Sequence, residues 1–274
     1  MRLVGWIRLG HPFPSILDGL VSGAIALVAG GAPDVALRIG LAMTLLQLGI
    51  GTVNDLVDAP FDAGRKAGKP IPAGLVSTAA ARAAAVALFG GGVVLAASVS
   101  IALAGLSVIV IGIGLAYDLR LKGTAWSWLP FAVGIPILPV YGWLGAAGSL
   151  PPAFVALVPA AVLAGAALAI GNSLVDVERD EGAGRTSVAA GLGAERATRL
   201  SALLVGGVVV IAIGSAAIAS VAPSAIAGLA AAGLVAIAAA VGGGAGSASR
   251  REWAWRFETV AIGVLGVIWV GAVA

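Results

Sequence analysis

The sequence predicts an all-α polytopic membrane protein, with nine transmembrane helices around a central cavity and two pseudo-repeat halves. Three observations predict it. The 274 residues are 60% hydrophobic and 11% charged, with mean hydropathy +1.07, whereas a soluble domain carries roughly 25% charged residues. Apolar runs of about 20 residues, the length that crosses a bilayer as a helix, recur along the chain. The basic residues fall almost wholly into alternate loops.

The expected spans are 15–31, 36–55, 79–97, 99–117, 127–147, 153–175, 198–220, 223–243 and 256–273. The first is short, and its helix is expected to begin a few residues earlier. Ahead of it, a segment of about 1–14 with Arg2, Trp6 and Arg8 reads as interfacial. It has no apolar core followed by a small-residue cleavage site, so no signal peptide is expected. A polar break at Ser98 and Ser100 is all that divides the third span from the fourth. The fifth carries Pro130, Pro136 and Pro139 and is expected to be irregular. Trp126, Trp128, Tyr141 and Trp143 bracket it as an interfacial aromatic belt does.

Nine spans put the N-terminus and the loops after helices 2, 4, 6 and 8 on one side. Every one of the 16 basic residues except Arg38 falls there, as the positive-inside rule expects of cytoplasmic loops. The 13 acidic residues share that side apart from Asp34 and Asp18, the latter inside the first helix. The chemistry is therefore expected on the cytoplasmic face, in motif loops at about 56–78, 118–126 and 177–197 of one domain covering 1–274. The excess of positive charge, pI about 9.8, is accounted for by topology and does not imply nucleic acid. With no cysteine, disulfides and thiolate sites are excluded.

Two polar series close apolar spans. The run NDLVDAPFD carries Asn54, Asp58 and Asp62 with Asp55 alongside; NSLVDVERD carries Asn172, Asp176 and Asp180. Residues at i, i+4 and i+8 lie along one helical face, so each series is a ladder of oxygens. Acids at a membrane boundary are costly and usually functional. Pro60 is expected to end or kink the first helix, leaving Asp62 in a loop, whereas nothing interrupts the second ladder. Gly64-Arg65 and Gly184-Arg185 follow the two ladders, and helices 2 and 6 run in the same direction, which suggests parallel half-repeats.

Such oxygens suit Mg²⁺, which takes one or two carboxylates plus substrate phosphates. Glu178, Glu181 and Glu195 instead read as partners of neighbouring cations. Gly90–Gly92 and Gly242–Gly244 do not open a helix beside a Lys-Ser/Thr pair, so they are not phosphate loops. His11, the one histidine, reads as an interfacial structural residue, and Asp18 either touches the site or caps a packing partner.

At these residues the chain resembles the UbiA-type membrane prenyltransferase superfamily, and the resemblance covers most of its length. A first motif NDxxDxxxD is matched by Asn54, Asp55, Asp58 and Asp62, and its basic-proline continuation by Arg65, Lys69, Pro70, Pro72 and Gly74. A second, DxxxD, is matched by Asp176 and Asp180 after Asn172, followed by Gly184, Thr186 and Gly193. A tyrosine followed by a lysine is matched by Tyr117, Asp118 and Lys122; Arg8 and His11-Pro12 also look familial. Asn172 stands where many members carry another aspartate, which trims the charge available to a second metal.

The resemblance implies a Mg²⁺-dependent transfer of a prenyl group from a prenyl diphosphate to an electron-rich acceptor, an aromatic, quinone or other lipid precursor. Asn54, Asp55, Asp58, Asp62, Asn172, Asp176 and Asp180 would hold the metal, with Asp58, Asp62, Asp176 and Asp180 catalytic. Asn54, Arg65, Lys69, Tyr117, Lys122, Asn172 and Arg185 would bind the diphosphate. Membrane lipid would surround a multi-pass protein of the bacterial or archaeal cytoplasmic membrane. An enzyme of this kind using another diphosphate donor, or cyclising its own isoprenoid, is the alternative. A CDP-alcohol phosphotransferase lacks support because its DGxxAR element is absent. A cation- or proton-coupled transporter would place its acids near the midplane, not at one face beside basic loops.

Overall fold

The structure, a computed structural model, describes residues 2–64, 68–182, 184–244 and 246–274. It is all helical among those residues, as expected. Eight helical stretches are long and apolar enough to cross a membrane: Pro33–Asp62, Thr78–Ala97, Ile101–Leu121, Leu129–Ala147, Phe154–Val175, Ala194–Ile218, Pro223–Gly242 and Ala248–Val273. Pro12–Val28, where the first span was expected, has 17 residues and is shorter than these. Among the described residues the expected nine spans are thus eight long helices and one shorter apolar helix, and the protein is a multi-pass membrane protein. The chain divides into two compact units: residues through Arg120 together with Tyr141–Gly148, and Leu121–Val140 together with Ser149–Ala274.

The first unit opens with α1 (Arg2–Arg8), within the segment that the sequence reads as interfacial, and α2 (Pro12–Val28). Gly10 and His11 both have positive φ, 84° and 54°, making the sharp turn between them. Pro12, whose fixed φ and missing N–H suit a first helical turn, then starts α2. Helix α3 (Pro33–Asp62) is 30 residues long, about 45 Å, so its final turns extend the polar series beyond the apolar stretch. Helices α2 and α3 pack through small residues: a methyl added at Gly19 would lie 2.6 Å from the Gly40 carbonyl oxygen, and one at Gly23 would lie 3.2 Å from that of Ala36. Such residues let backbones approach closely where lipid offers no competing hydrophobic drive. Helices α4 (Thr78–Ala97) and α5 (Ile101–Ala116) begin at the caps Ser77 and Ser100, which accept from Ala80 N–H and Leu103 N–H at 3.2 Å each. The Ser98–Ser100 break therefore divides two helices, as expected. A π-helical turn, Tyr117–Leu121, follows α5.

In the second unit, α6 (Leu129–Gly134) has Pro130 in its first turn and stops before Pro136; α7 (Ile137–Ala147) continues the irregular fifth span and belongs to the first unit from Tyr141 on. Helix α8 (Phe154–Val175) approaches α6 so closely that a methyl at Gly165 would lie 2.2 Å from the Phe131 carbonyl oxygen. Two short helices, α9 (Val177–Gly182) and α10 (Val188–Leu192), lead into α11 (Ala194–Ile218), α12 (Pro223–Gly242) and α13 (Ala248–Val273).

The two polar ladders reverse their expected regularity. Helix α3 runs through Pro60 to Asp62, so the first ladder stays helical. Proline forfeits one i→i−4 bond, and in a final turn little helix remains to be kinked. The second ladder is the broken one: α8 ends at Val175, Asp176 adopts φ −108° and ψ 10°, and α9 restarts at Val177. Asp176 N–H reaches Ser173 O at 3.3 Å, a tightened i→i−3 closure. The break lets Val177 join a buried cluster with Ile170, Leu174, Ala189 and Ala197. Tertiary burial here overrides a locally uninterrupted helical sequence.

Candidate functional site

In the first unit, the end of α3 meets the α1–α2 turn and the loop that carries Lys69. Asp55, only 2% exposed, receives Lys69 Nζ–H at 2.5 Å on Oδ1, and His11 Nε2 lies 3.2 Å from the same oxygen. Lys69 Nζ is also 3.3 Å from His11 Nε2 and 3.7 Å from Asp62 Oδ2. One lysine is thus held between Asp55 and Asp62. Its place depends on the turn before it: Gly68 has φ +85°, and the Arg8 guanidinium lies against that glycine, 2.9 Å from where a methyl would stand. Leu9, Val76 and Ala81 form the buried base under this loop.

Asn54 donates through Nδ2 to Asp118 Oδ1 at 2.7 Å. Asp118 is 4% exposed and sits in the π-helical turn beside the half-buried Tyr117. The sequence motif points to Tyr117 as a diphosphate ligand and gives Asp118 no role. Its adjacency to Tyr117 was the available signal, and its partner 64 residues away was not visible. Asp58 is half-buried one turn after Asn54. Arg65, expected to bind phosphate, lies outside the described residues.

In the second unit, Asn172 sits half-buried on the last turn of α8, Asp176 at the break and Asp180 on α9. Arg179 pairs with Asp176, and Arg185 Nη1 lies 3.8 Å from Asp180 Oδ1. The Arg185 loop is closed by its own N–H on Asp180 O at 2.9 Å. Thr186 N–H donates to Gly123 O at 3.2 Å, and the Arg185 side chain lies over Gly123, whose positive φ allows the approach. Lys122, half-buried, precedes that glycine. The structure thus brings the Lys122 loop against the Arg185 loop. Glu178 pairs with Arg251, as its expected role as a cation partner requires. Its carboxyl is held below the usual carboxylate range, first by a hydrogen bond from its own backbone N–H and then by Arg251.

Asp55 Oδ2 and Asp62 Oδ2 are buried and accept no hydrogen bond among the described residues. A buried carboxylate oxygen left without a donor is costly, and a cation bound at either one would offset that cost. No three His, Cys, Asp or Glu side chains among the described residues already form a metal-sized group. The donor set fits Mg²⁺ held by one or two carboxylates with phosphate oxygens completing its shell.

The profile of the UbiA prenyltransferase family matches residues 19–268. Over 125 residues the chain is 32% identical to digeranylgeranylglyceryl phosphate synthase from Methanoculleus marisnigri, covering 45% of each chain and so less than half of that relative's length. It is 28% identical over 217 residues to the synthase of the same name from Thermococcus kodakarensis, covering 74% of each. The fold is similar to that of a UbiA homolog from Archaeoglobus fulgidus bound to GPP and Mg²⁺, with TM-score 0.73 and 18% identity over 95% of this chain and 99% of that one. The chain belongs to the UbiA prenyltransferase family.

Proposed function

We propose that this protein transfers a prenyl group from a prenyl diphosphate to an electron-rich acceptor, with Mg²⁺ required and the polar segments facing the cytoplasm. The observation that carries this reading is a pair of anchored cations, each set among the acids of one polar series. Lys69 is held between Asp55 and Asp62, and Arg185 lies beside Asp180. Acids alone would suit a bare cation; acids with fixed cations suit a metal–diphosphate, whose oxygens need both.

In this reading Asp58, Asp62, Asp176 and Asp180 hold the metal, with Asn54 and Asn172 as neutral oxygen donors. Asp55 fixes Lys69 and offers its unbonded Oδ2 to the same charge cluster. Lys69, Tyr117, Lys122, Arg185 and, by sequence, Arg65 bind phosphate oxygens. Bound Mg²⁺ supplies Lewis-acid neutralisation of the diphosphate. Lys69 and Arg185 stabilise the charge that accumulates as the C1–O bond breaks and diphosphate leaves with the electron pair. The allylic carbon forms its new bond to the acceptor nucleophile, which loses a proton. Apolar helix surfaces accommodate the isoprenoid tail. In this reading the segments face the cytoplasm of a bacterial or archaeal cell, which the concentration of basic residues in their loops supports through the positive-inside rule.

The test is transfer of labelled geranyl diphosphate by the purified protein in lipid, against a panel of acceptors. The relatives' name, digeranylgeranylglyceryl phosphate synthase, puts a prenylated glyceryl phosphate first in that panel. Turnover is expected to require Mg²⁺ and to disappear in Asp58→Ala and Asp176→Ala. Unchanged turnover in both variants would overturn the assignment, and product formed without acceptor would indicate cyclisation instead.

A further inference from the structure

Helix α13 carries polar groups that the proposed reaction does not use. Arg251, Trp255 and Glu258 follow at i, i+4 and i+7, so they share one face of the helix and span about 10 Å along it. Each meets a backbone or side chain on the helices of the second polar series. Arg251, with its side chain 6% exposed, donates through Nη2 to both oxygens of Glu178 on α9, at 2.5 Å to Oε1. Its Nη1 donates to Gly246 O at 2.8 Å, which fixes the guanidinium from behind. Trp255 Nε1–H donates to Leu168 O on α8 at 3.1 Å. Glu258, 2% exposed, accepts from Ser201 Oγ–H on α11 at 3.2 Å. That hydroxyl also lies 3.3 Å from Ala167 O of α8.

The two inner side chains converge on one backbone position. A methyl at Gly171 would lie 3.0 Å from Glu258 Oε2 and 3.0 Å from Trp255 Cδ1. Gly171 directly precedes Asn172, the first member of the second ladder. Thus α13 meets the chain on both sides of the break at Asp176: α8 through the Trp255 hydrogen bond and the close approach of Glu258 to Gly171, and α9 through Arg251. An acid and a guanidinium buried on a helix of this kind are expensive. An apolar α13 would pack more cheaply but would leave the angle between α8 and α9 unfixed.

We infer that Arg251, Trp255 and Glu258 are positioning residues, which hold α8 and α9 in the two-part shape that presents Asn172, Asp176 and Asp180 to metal–diphosphate. The inference rests on the function proposed above for those three residues. Partners that orient metal-binding groups act through geometry, and losing one typically weakens metal affinity about 10- to 100-fold. Glu178 is the least disruptive place to cut, because its side chain is 64% exposed and its removal empties no core.

The absence of native cysteine allows spin labels to be placed cleanly, at Glu181→Cys on α9 and Arg250→Cys on α13. The full-length protein in lipid nanodiscs is titrated with Mn²⁺ in the presence of inorganic pyrophosphate, and label distances are read in parallel. Glu178→Ala is expected to broaden the distance distribution and weaken Mn²⁺ binding about tenfold, with only a slight fall in melting temperature. Glu258→Ala is expected to weaken binding too, while Glu258→Gln, which keeps an acceptor for Ser201, restores it. A distance distribution and Mn²⁺ affinity both unmoved by Glu178→Ala would overturn the inference, as would Glu258→Gln behaving like Glu258→Ala. If the parent binds no Mn²⁺–pyrophosphate, the proposed function falls, and the label distances alone then decide for or against the grip of α13 on α9.

Discussion

Gly51→Ala isolates the contact that sets the first polar cluster. A methyl at Gly51 would stand 2.3 Å from the carbonyl oxygen of Gly10, 2.5 Å from its carbonyl carbon and 2.9 Å from its Cα. All three are backbone atoms, so no rotamer change relieves the clash. Carbon contacts relax at roughly 3.5 Å, and the α1–α2 turn must therefore retreat by about 1 Å. That turn carries His11, whose Nε2 is 3.2 Å from Asp55 Oδ1; the retreat stretches the contact beyond hydrogen-bonding range. Overpacking of this kind costs about 1–3 kcal/mol, and the gain from replacing a mid-helix glycine by alanine returns only about 0.5–1 kcal/mol. Thermal unfolding in detergent should show a lower melting temperature for Gly51→Ala. KM for prenyl diphosphate should rise as Lys69 loses one of its neighbours. Gly112→Ala in α5 is the control, since a methyl there meets nothing within 4 Å; it should leave the protein equally or more stable. A Gly51→Ala protein as stable as the Gly112→Ala control would refute the close approach and the placement of His11 that depends on it.

Lys69→Met leaves the buried Asp55 carboxylate without its ammonium partner. Breaking a buried pair by removing one side costs about 3–5 kcal/mol; Lys69 keeps an 11% exposed side chain, so the lower end is expected, together with a large loss of kcat/KM. Chemical denaturation and steady-state kinetics check the two effects. The Glu178–Arg251 pair adds a pH dependence. Because the folded-state carboxyl of Glu178 lies below its ordinary value of 4.5, its stabilising effect is present above 4.5 and is lost as pH falls through the lower folded value. Melting curves of the parent and Glu178→Gln should differ slightly at neutral pH and converge in acid; divergence that grows in acid would refute the assigned sign.

The membrane architecture was legible because it rests on length and composition. Ser98 and Ser100 marked a helix boundary where two serines interrupt a run that is otherwise apolar, and both serve as caps. The regularity of the ladders was not legible. Pro60 is a strong local breaker, yet α3 outruns it because a break in the last turn costs little. Nothing local breaks the chain at Asp176; the cause lies in Val177 turning toward Ala189 and Ala197 and in Arg251 holding Glu178, contacts from segments 12 to 73 residues further on.

The same distinction divides the first motif from within. As a string, Asn54, Asp55, Asp58 and Asp62 are one series of equivalent oxygens. In the fold, Asp55 lies off the i, i+4, i+8 face and is buried against Lys69 and His11, whereas Asn54 is bonded to Asp118. A ligand series would gain nothing from burying one member against a lysine. A phosphate-binding lysine gains much: its long side chain has several rotamers to lose, and a carboxylate that fixes it beforehand removes that entropy cost from substrate binding. In the proposed reading Asp55 acts first on Lys69, and its unbonded Oδ2 remains open to a bound cation. The motif spacing that makes the four residues look alike serves two tasks, and the side chain 14 residues downstream separates them.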